Sequence, residues 1–363
     1  EVKGFDPTRY FTPMEAKHMG RFTQLALAAA KEALSDSGIV PESLDLDRCG
    51  VIVSSGIGGQ AITETECLKG AERNWDRVSP YYIPTAICNM AAGQIAIHAG
   101  FRGMCSCPVT ACAGGTNAVG DAFRYIRDGY ADCMLCGGTE SSITPLSVGG
   151  FTSMKALSQA KDPSRASIPF DKERSGFVMG EGAGILLLEE LDHALARSAK
   201  IYAEFVGYGA SCDAYHMTAP RPDGSGGAKA MALALADGGV KPEAVDYINA
   251  HGTSTPLNDA GETAAVKTVF GPHARRLLIS STKSMTGHML GAAGAVEAIF
   301  TALALRDGFV PATINYQVPD EACDLDVTPN QGRKVPLAYA LSNSLGFGGH
   351  NASILLKKWE GGQ

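Results

Sequence analysis

Short apolar runs alternate along the chain with longer stretches rich in small and amphipathic residues. The runs CGVIVSS (49–55), CSCPVTA (105–111), CMLCGGTESS (133–142), DYINAHG (246–252), LLISSTK (277–283) and YALSNSLGFGGHN (339–351) read as strands or strand ends. Between them lie helical patterns, such as the one that follows PVTACAGG and runs through Phe123 and Ile126. Strands alternating with helices predict an α/β protein with mostly parallel sheets covered on both faces.

The pattern repeats. Residues 33–45, ALSDSGIVPESLD, and 234–246, ALADGGVKPEAVD, align without a gap at a shift of 201, with seven of thirteen positions identical. Each copy is a helix end, a Gly stop and a Pro-Glu turn leading toward a strand. Later elements recur in the same order, and both small-residue helices end on Arg-Asp-Gly, at Arg127 to Gly129 and Arg306 to Gly308. Two duplicated halves, 1–198 and 199–363, fit this better than two unrelated domains. One element lacks a partner: the apolar strand IYAEFVGYG (201–209) opens the second copy, but the matching stretch, EVKGFDPT, carries Pro and charges. The first strand of the first half is therefore expected to be missing, and the chain to be a fragment. That strand is expected at the centre of the first sheet, where its loss would bare pairing edges on both sides.

Composition narrows the function. The 363 residues are 45% hydrophobic and 19% charged, which is globular. The longest apolar stretches, such as GILLL (184–188), are far short of the roughly 20 residues a membrane span requires. With 31 Lys plus Arg against 38 Asp plus Glu, the net charge of −7 disfavours general nucleic-acid binding. The first residues carry no signal-peptide pattern, and a cytoplasmic enzyme is the expected starting class. The ten Cys show neither a disulfide framework nor zinc spacing. Cys133 and Cys136 would point to opposite faces of a strand, and Cys105 and Cys107 lack a second ligand pair. Most are expected to be small core residues in a reducing compartment.

Cys112 stands apart. It falls where a β-rich run turns into a helix, and the unpaired N–H groups of a helix start favour a thiolate. His251, in NAHGTSTPLND, follows a strand, where ligand-binding residues of open α/β sheets gather. His288, in STKSMTGHMLGAAGAVE, lies at the turn before a small-residue helix. The loop LGFGGHN (345–351) offers backbone donors suited to an oxyanion. The other six His read as ordinary polar residues.

TACAGG, NAHGTSTP, STKSMTGHMLGAAGAVE and SNSLGFGGHN, in that order, closely resemble the β-ketoacyl-acyl-carrier-protein synthases, and most of all the elongating condensing enzymes of bacterial type II fatty-acid synthesis. FDKERSGFVMGEGAG and ASCDAYHMTAP extend the resemblance over nearly the whole chain. It implies a thiolase-type fold of five layers (αβαβα) with duplicated halves, and a homodimer. It implies that Cys112 takes an acyl group from acyl-carrier protein, and that His251 and His288 donate to the enolate formed as malonyl-carrier protein loses CO2. The N–H groups of Cys112 and Phe347 would meet the tetrahedral intermediate. Lys283 would act near the His pair, with Glu297 and Asn343 behind them. Thr253 and Thr255 would bind the pantetheine arm, Ile57 would border the acyl pocket, and Phe347 would gate Cys112. Lys17, Arg21 and Lys155 would dock the carrier protein, with Arg21 one helical turn after Lys17 on the same face. No cofactor is implied, although some members carry a structural monovalent cation near residues like Glu297 and Asn343.

Three alternatives are weaker. A thiolase would place a second Cys in the last Gly-rich loop, and a chalcone-synthase-like enzyme would use Cys-His-Asn. A noncatalytic partner subunit of a condensing heterodimer would lack the nucleophile. Polyketide-type ketosynthases share Cys-His-His and remain open.

Overall fold

In the computed structural model, which describes residues 1–361, the apolar runs become strands of two sheets. The first sheet contains β1 (Cys49–Ser54), β2 (Cys105–Ser106), β3 (Cys133–Glu140) and β4 (Gly182–Glu189), in the order β2-β1-β3-β4. The second begins with β5 (Ala203–Cys212), β6 (Val245–Asn249) and β7 (Leu278–Ser280). A two-stranded ribbon, β8 (Phe309–Val310) with β9 (Arg333–Lys334), comes before its last pair, β10 (Tyr339–Gly346) and β11 (His350–Lys358). The order there is β5-β11-β10-β6-β7.

Helices cover both faces of each sheet. Arg21–Ser37 and Met90–Ala99 pack outside the first sheet, and Ser225–Asp237 and Pro256–Phe270 outside the second. Gly114–Arg127 and Ala293–Asp307 lie between the sheets, completing the five layers. Small residues make this central layer thin: Ala118, Ala122, Ala298 and Ala302 are buried there among Met134, Tyr208, Tyr247 and Ile354. The repeated helix ends stop as read. Gly38 caps Arg21–Ser37 in the left-handed region (φ 63°), and Gly308 ends Ala293–Asp307 in the same way (φ 59°).

Several expectations need correction. The sheets are mixed: β4 pairs antiparallel with β3, and β11 pairs antiparallel with both β10 and β5. The Gly-rich loop is therefore a hairpin turn between β10 and β11, with Gly348 and Gly349 at φ 86° and 75°. CSCPVTA contributes only two paired residues. β5 lies at the border of its sheet, bonded among the described residues to β11 alone. By the repeat, its counterpart would flank β4 at an edge, so the central position is wrong. The free edge of β4 borders an apolar groove of about 550 Å³ lined by Leu186, Leu188, Phe205 and Leu303. Among the described residues, no helix is long and apolar enough to cross a membrane.

Candidate active site

Cys112 occupies one 3-10 turn, Ala111–Ala113, that runs straight into the helix Gly114–Arg127. The turn is strained: Ala111 takes a left-handed φ of 49°. Gly346, at the end of β10, packs against it; a Cβ there would sit 2.9 Å from the Thr110 carbonyl oxygen and 3.2 Å from the Cys112 nitrogen. This contact brings the β10–β11 turn over the thiol, and the Phe347 N–H donates toward the sulfur. The thiol is buried, and burial pushes it up to about 11, although the Lys283 charge and the Phe347 N–H pull the other way. The expectation that the helix start favours a thiolate is thus corrected for the resting protein: desolvation outweighs it.

The second half supplies the imidazoles. His251 follows β6, its N–H donating to Glu262 Oε1 at 2.8 Å. His288 is strapped to the segment after Phe177: its N–H donates to the Val178 carbonyl (2.7 Å), and its carbonyl accepts from the Gly180 N–H (2.9 Å). The two rings meet edge to face with centroids 5.2 Å apart, and Phe177 packs on His288 at 5.3 Å. Both His lie well below the usual imidazole range, because burial and then the Lys283 cation disfavour the charged form. They are neutral at pH 7. Lys283 Nζ stands 3.4 Å from Nδ1 of His251 and forms a buried ion pair with Glu297. An ammonium at Nδ1 makes that nitrogen an acceptor, so the His251 proton sits on Nε2. Burial raises Glu297 to about 7, against the opposing pull of Lys283.

A cavity of about 540 Å³ collects Cys112, His251, His288, Thr253, Thr255, Ile57 and Phe347 on its walls, with Lys155 among the lining residues. The Thr253 and Thr255 hydroxyls lie 2.9 Å apart. Ile57 packs with Cys112, Phe177 and Leu290. Asn343 stands behind the wall; its amide donates to Glu262 Oε1 (3.3 Å) and its oxygen accepts from Ser353 (2.8 Å). Lys17 is exposed. Arg21 is not free for docking, because its guanidinium forks onto Glu181 (3.1 and 2.8 Å) and reaches the Val2 carbonyl. Nor does it share a helix with Lys17: Pro13–Lys17 ends, and Gly20 caps a new helix at Arg21. Of the other thiols, Cys49, Cys133, Cys136 and Cys323 are buried as expected, but Cys67, Cys105 and Cys212 are exposed.

Sequence reasoning missed Phe177, Leu290 and the buried carboxylates Glu140 and Glu262. Phe177 lies within FDKERSGFVMGEGAG, and the charge of Glu262 inside the largely small and apolar pattern of Pro256–Phe270 is a signal for a buried carboxylate.

Comparison with known proteins gives the family and the fold. Residues 1–194 match the family described as Beta-ketoacyl synthase, N-terminal domain, and residues 202–317 match Beta-ketoacyl synthase, C-terminal domain. The chain is 54% identical over 361 residues to a 3-oxoacyl-[acyl-carrier-protein] synthase 2 of Synechocystis sp., covering 99% of this chain and 87% of the relative. It is 49% identical to the protein of that name from Staphylococcus aureus, again over 99% and 87%. Among solved structures, a β-ketoacyl synthase from Burkholderia phymatum superposes with a TM-score of 0.92 at 34% identity, covering 99% of this chain and 87% of that one. A type II polyketide ketosynthase in complex with its acyl-carrier protein gives 0.90 at 40% identity, over 94% and 85%.

Proposed function

The chain belongs to the β-ketoacyl synthase family, and from that premise we infer that it extends acyl chains by two carbons through decarboxylative Claisen condensation with malonyl-acyl-carrier protein. The observation that carries the reading is the meeting of one thiol and two neutral imidazoles, from different halves, in one cavity. Cys112 attacks the acyl-carrier thioester, forming acyl-Cys and releasing the carrier thiol, so the acyl group stays activated. Malonyl-carrier thioester then loses CO2, and its electron pair becomes an enolate. The His251 Nε2–H, set by Lys283 at Nδ1, donates to that oxygen together with His288. The enolate carbon attacks the acyl-Cys carbonyl, whose oxygen is met by the Cys112 and Phe347 N–H groups, and the Cys112 thiolate leaves.

Thr253 and Thr255 line the route of the pantetheine arm, Ile57 bounds the acyl chain, and Phe347 covers the thiol. We place the division between the halves at 198/199. A monovalent cation suits the oxygens behind the site: Glu297 Oε2 and Asn249 Oδ1 are buried without partners among the described residues, although the Asn343 oxygen is engaged by Ser353. It would steady the Glu297 charge there. A homodimer is supported by the unpaired edge of β2 and the exposed Ile97, Met104 and Val109 near it in the chain; a monomer by sedimentation would overturn it.

The decisive experiment is turnover with malonyl-carrier protein and a series of acyl-carrier proteins. Saturated acyl chains should be extended by two carbons. Elongation of poly-β-ketone intermediates in preference to them would favour the polyketide reading, which the 40% identity to a polyketide ketosynthase keeps in play. Absence of condensation with an intact thiol would favour a noncatalytic partner.

A further inference from the structure

Glu140, the last residue of β3, is completely buried yet pairs with no cationic side chain among the described residues. Its carboxylate is filled by donors instead. Oε1 accepts from the Ser142 hydroxyl (2.8 Å), the Ser55 hydroxyl (3.2 Å) and the Ile57 N–H (3.2 Å). Oε2 accepts from the Gly56 N–H (2.8 Å) and the Gly291 N–H (3.1 Å). These three backbone donors lie in the loop after β1 and in the first turn beyond His288, where neither ladder nor helix provides a partner. The carboxylate therefore does what secondary structure cannot do at these points.

The donors come from both halves. Ile57 walls the pocket beside Cys112, and Gly291 follows Leu290, which packs on Ile57 and Cys112. The approach is tight enough to require glycine: a Cβ on Gly291 would lie 2.4 Å from the Gly56 nitrogen, and one on Gly56 would lie 2.7 Å from Oε2. The second half contains a matching device. Glu262 accepts from two consecutive N–H groups, His251 (2.8 Å) and Gly252 (2.8 Å), in the loop after β6, which stands where β1 stands in the first half. One buried carboxylate thus holds the loop after β1 and another the loop after β6, although the two arise from different elements.

We propose that Glu140 is a positioning residue that locks the acyl-pocket wall at Ile57 to the His288 loop at Gly291, so that acyl-chain selection and decarboxylation geometry are set together. The proposal rests on the condensing reading above. It predicts that one substitution, remote from the reacting atoms, alters two steps in different ways. Glu140→Gln keeps the size but turns an –NH2 donor toward N–H donors, forcing the loops apart.

The experiment uses the full chain and two readouts, each normalised to the fraction of Cys112 that can be titrated. One is the chain-length profile of Cys112 acylation by a series of acyl thioesters, followed by mass; the other is CO2 release from malonyl-carrier protein. For Glu140→Gln, CO2 release should fall by about tenfold or more, and the ratio of long-chain to short-chain acylation should change as well. A merely structural role would lower the titratable fraction and leave both normalised values at the wild-type level, which would overturn the proposal. Should Glu140→Gln not fold, the double variant Ser55→Ala/Ser142→Ala removes both hydroxyl donors to Oε1, together with the Ser55 acceptor of the Gly58 N–H. It should shift the profile in part, and an unchanged profile would equally sink the idea. Wild-type protein that neither acylates Cys112 nor releases CO2 would instead refute the condensing reading itself.

Discussion

Two influences oppose each other at Cys112, and their sizes decide the outcome. A helix start favours an anion by about 0.3–1 kcal/mol at exposed sites, less than the roughly 1.4 kcal/mol that corresponds to one pH unit. Burial outweighs it and leaves the thiol near 11. Since only the thiolate reacts, alkylation of the resting protein at Cys112 should climb about tenfold per pH unit between pH 7 and 9. A plateau below pH 8.5 would contradict this. Lys283 favours the anion, so Lys283→Met should raise the thiol further and slow alkylation at every pH in that range. Faster alkylation would show that the cation acts through some other group. The position of Cys112 and of both His could be read because each sits in a local strand-to-helix signature. The thiol's protonation could not, because it depends on how deeply Phe347, Ile57 and Leu290 bury the sulfur, and those residues come from three distant segments. Glu140 was invisible for the same reason: its donors lie 84 and 151 positions away for Gly56 and Gly291.

Elements follow the same division between local and distant causes. Helix ends at Gly38 and Gly308 were legible because a cap is chosen by its own backbone conformation. The antiparallel strand β11 and the brevity of β2 were not, because a strand's partners are far away in sequence. Glycines inside β5 illustrate what the pattern left unread. The helix Ser225–Asp237 lies so close to this strand that a Cβ on Gly207 would stand 2.2 Å from the Ala234 carbonyl oxygen, and one on Gly209 would stand 2.1 Å from that of Ala230. These are backbone atoms, so relief requires the helix to move as a whole. Gly209→Val should therefore destabilise the protein by about 1–3 kcal/mol despite the better strand propensity of Val. The denaturant midpoint measures it, and an unchanged midpoint would mean that helix and strand slide apart without cost.

At the scale of the whole molecule, a chain of net charge −7 must attract an acyl-carrier protein that is itself expected to be acidic. Long-range charge works against the encounter, so local positive potential near the cavity has to steer it. Arg21 is neutralised by Glu181 at 2.8 Å and contributes little. Lys155 remains the stronger candidate: it is exposed and belongs to the residues lining the cavity, on the turn after the helix Pro145–Ser153. Lys17 is exposed at the end of its helix and has no ion-pair partner among the described residues. Replacing an ammonium by a carboxylate at either position leaves the core untouched, so the effect should fall on association alone. Lys155→Glu should raise KM for acyl-carrier protein by about tenfold at low salt, with the gap to wild type narrowing as salt screens the charges over roughly 10 Å at 0.1 M. Lys17→Glu should act in the same direction with a smaller change. Short acyl-thioester mimics that carry no protein should be turned over by both variants at the wild-type rate. If mimic and carrier-protein kinetics fell together in Lys155→Glu, the charge would be acting on the cavity itself, and the docking surface would have to lie on another face of the protein.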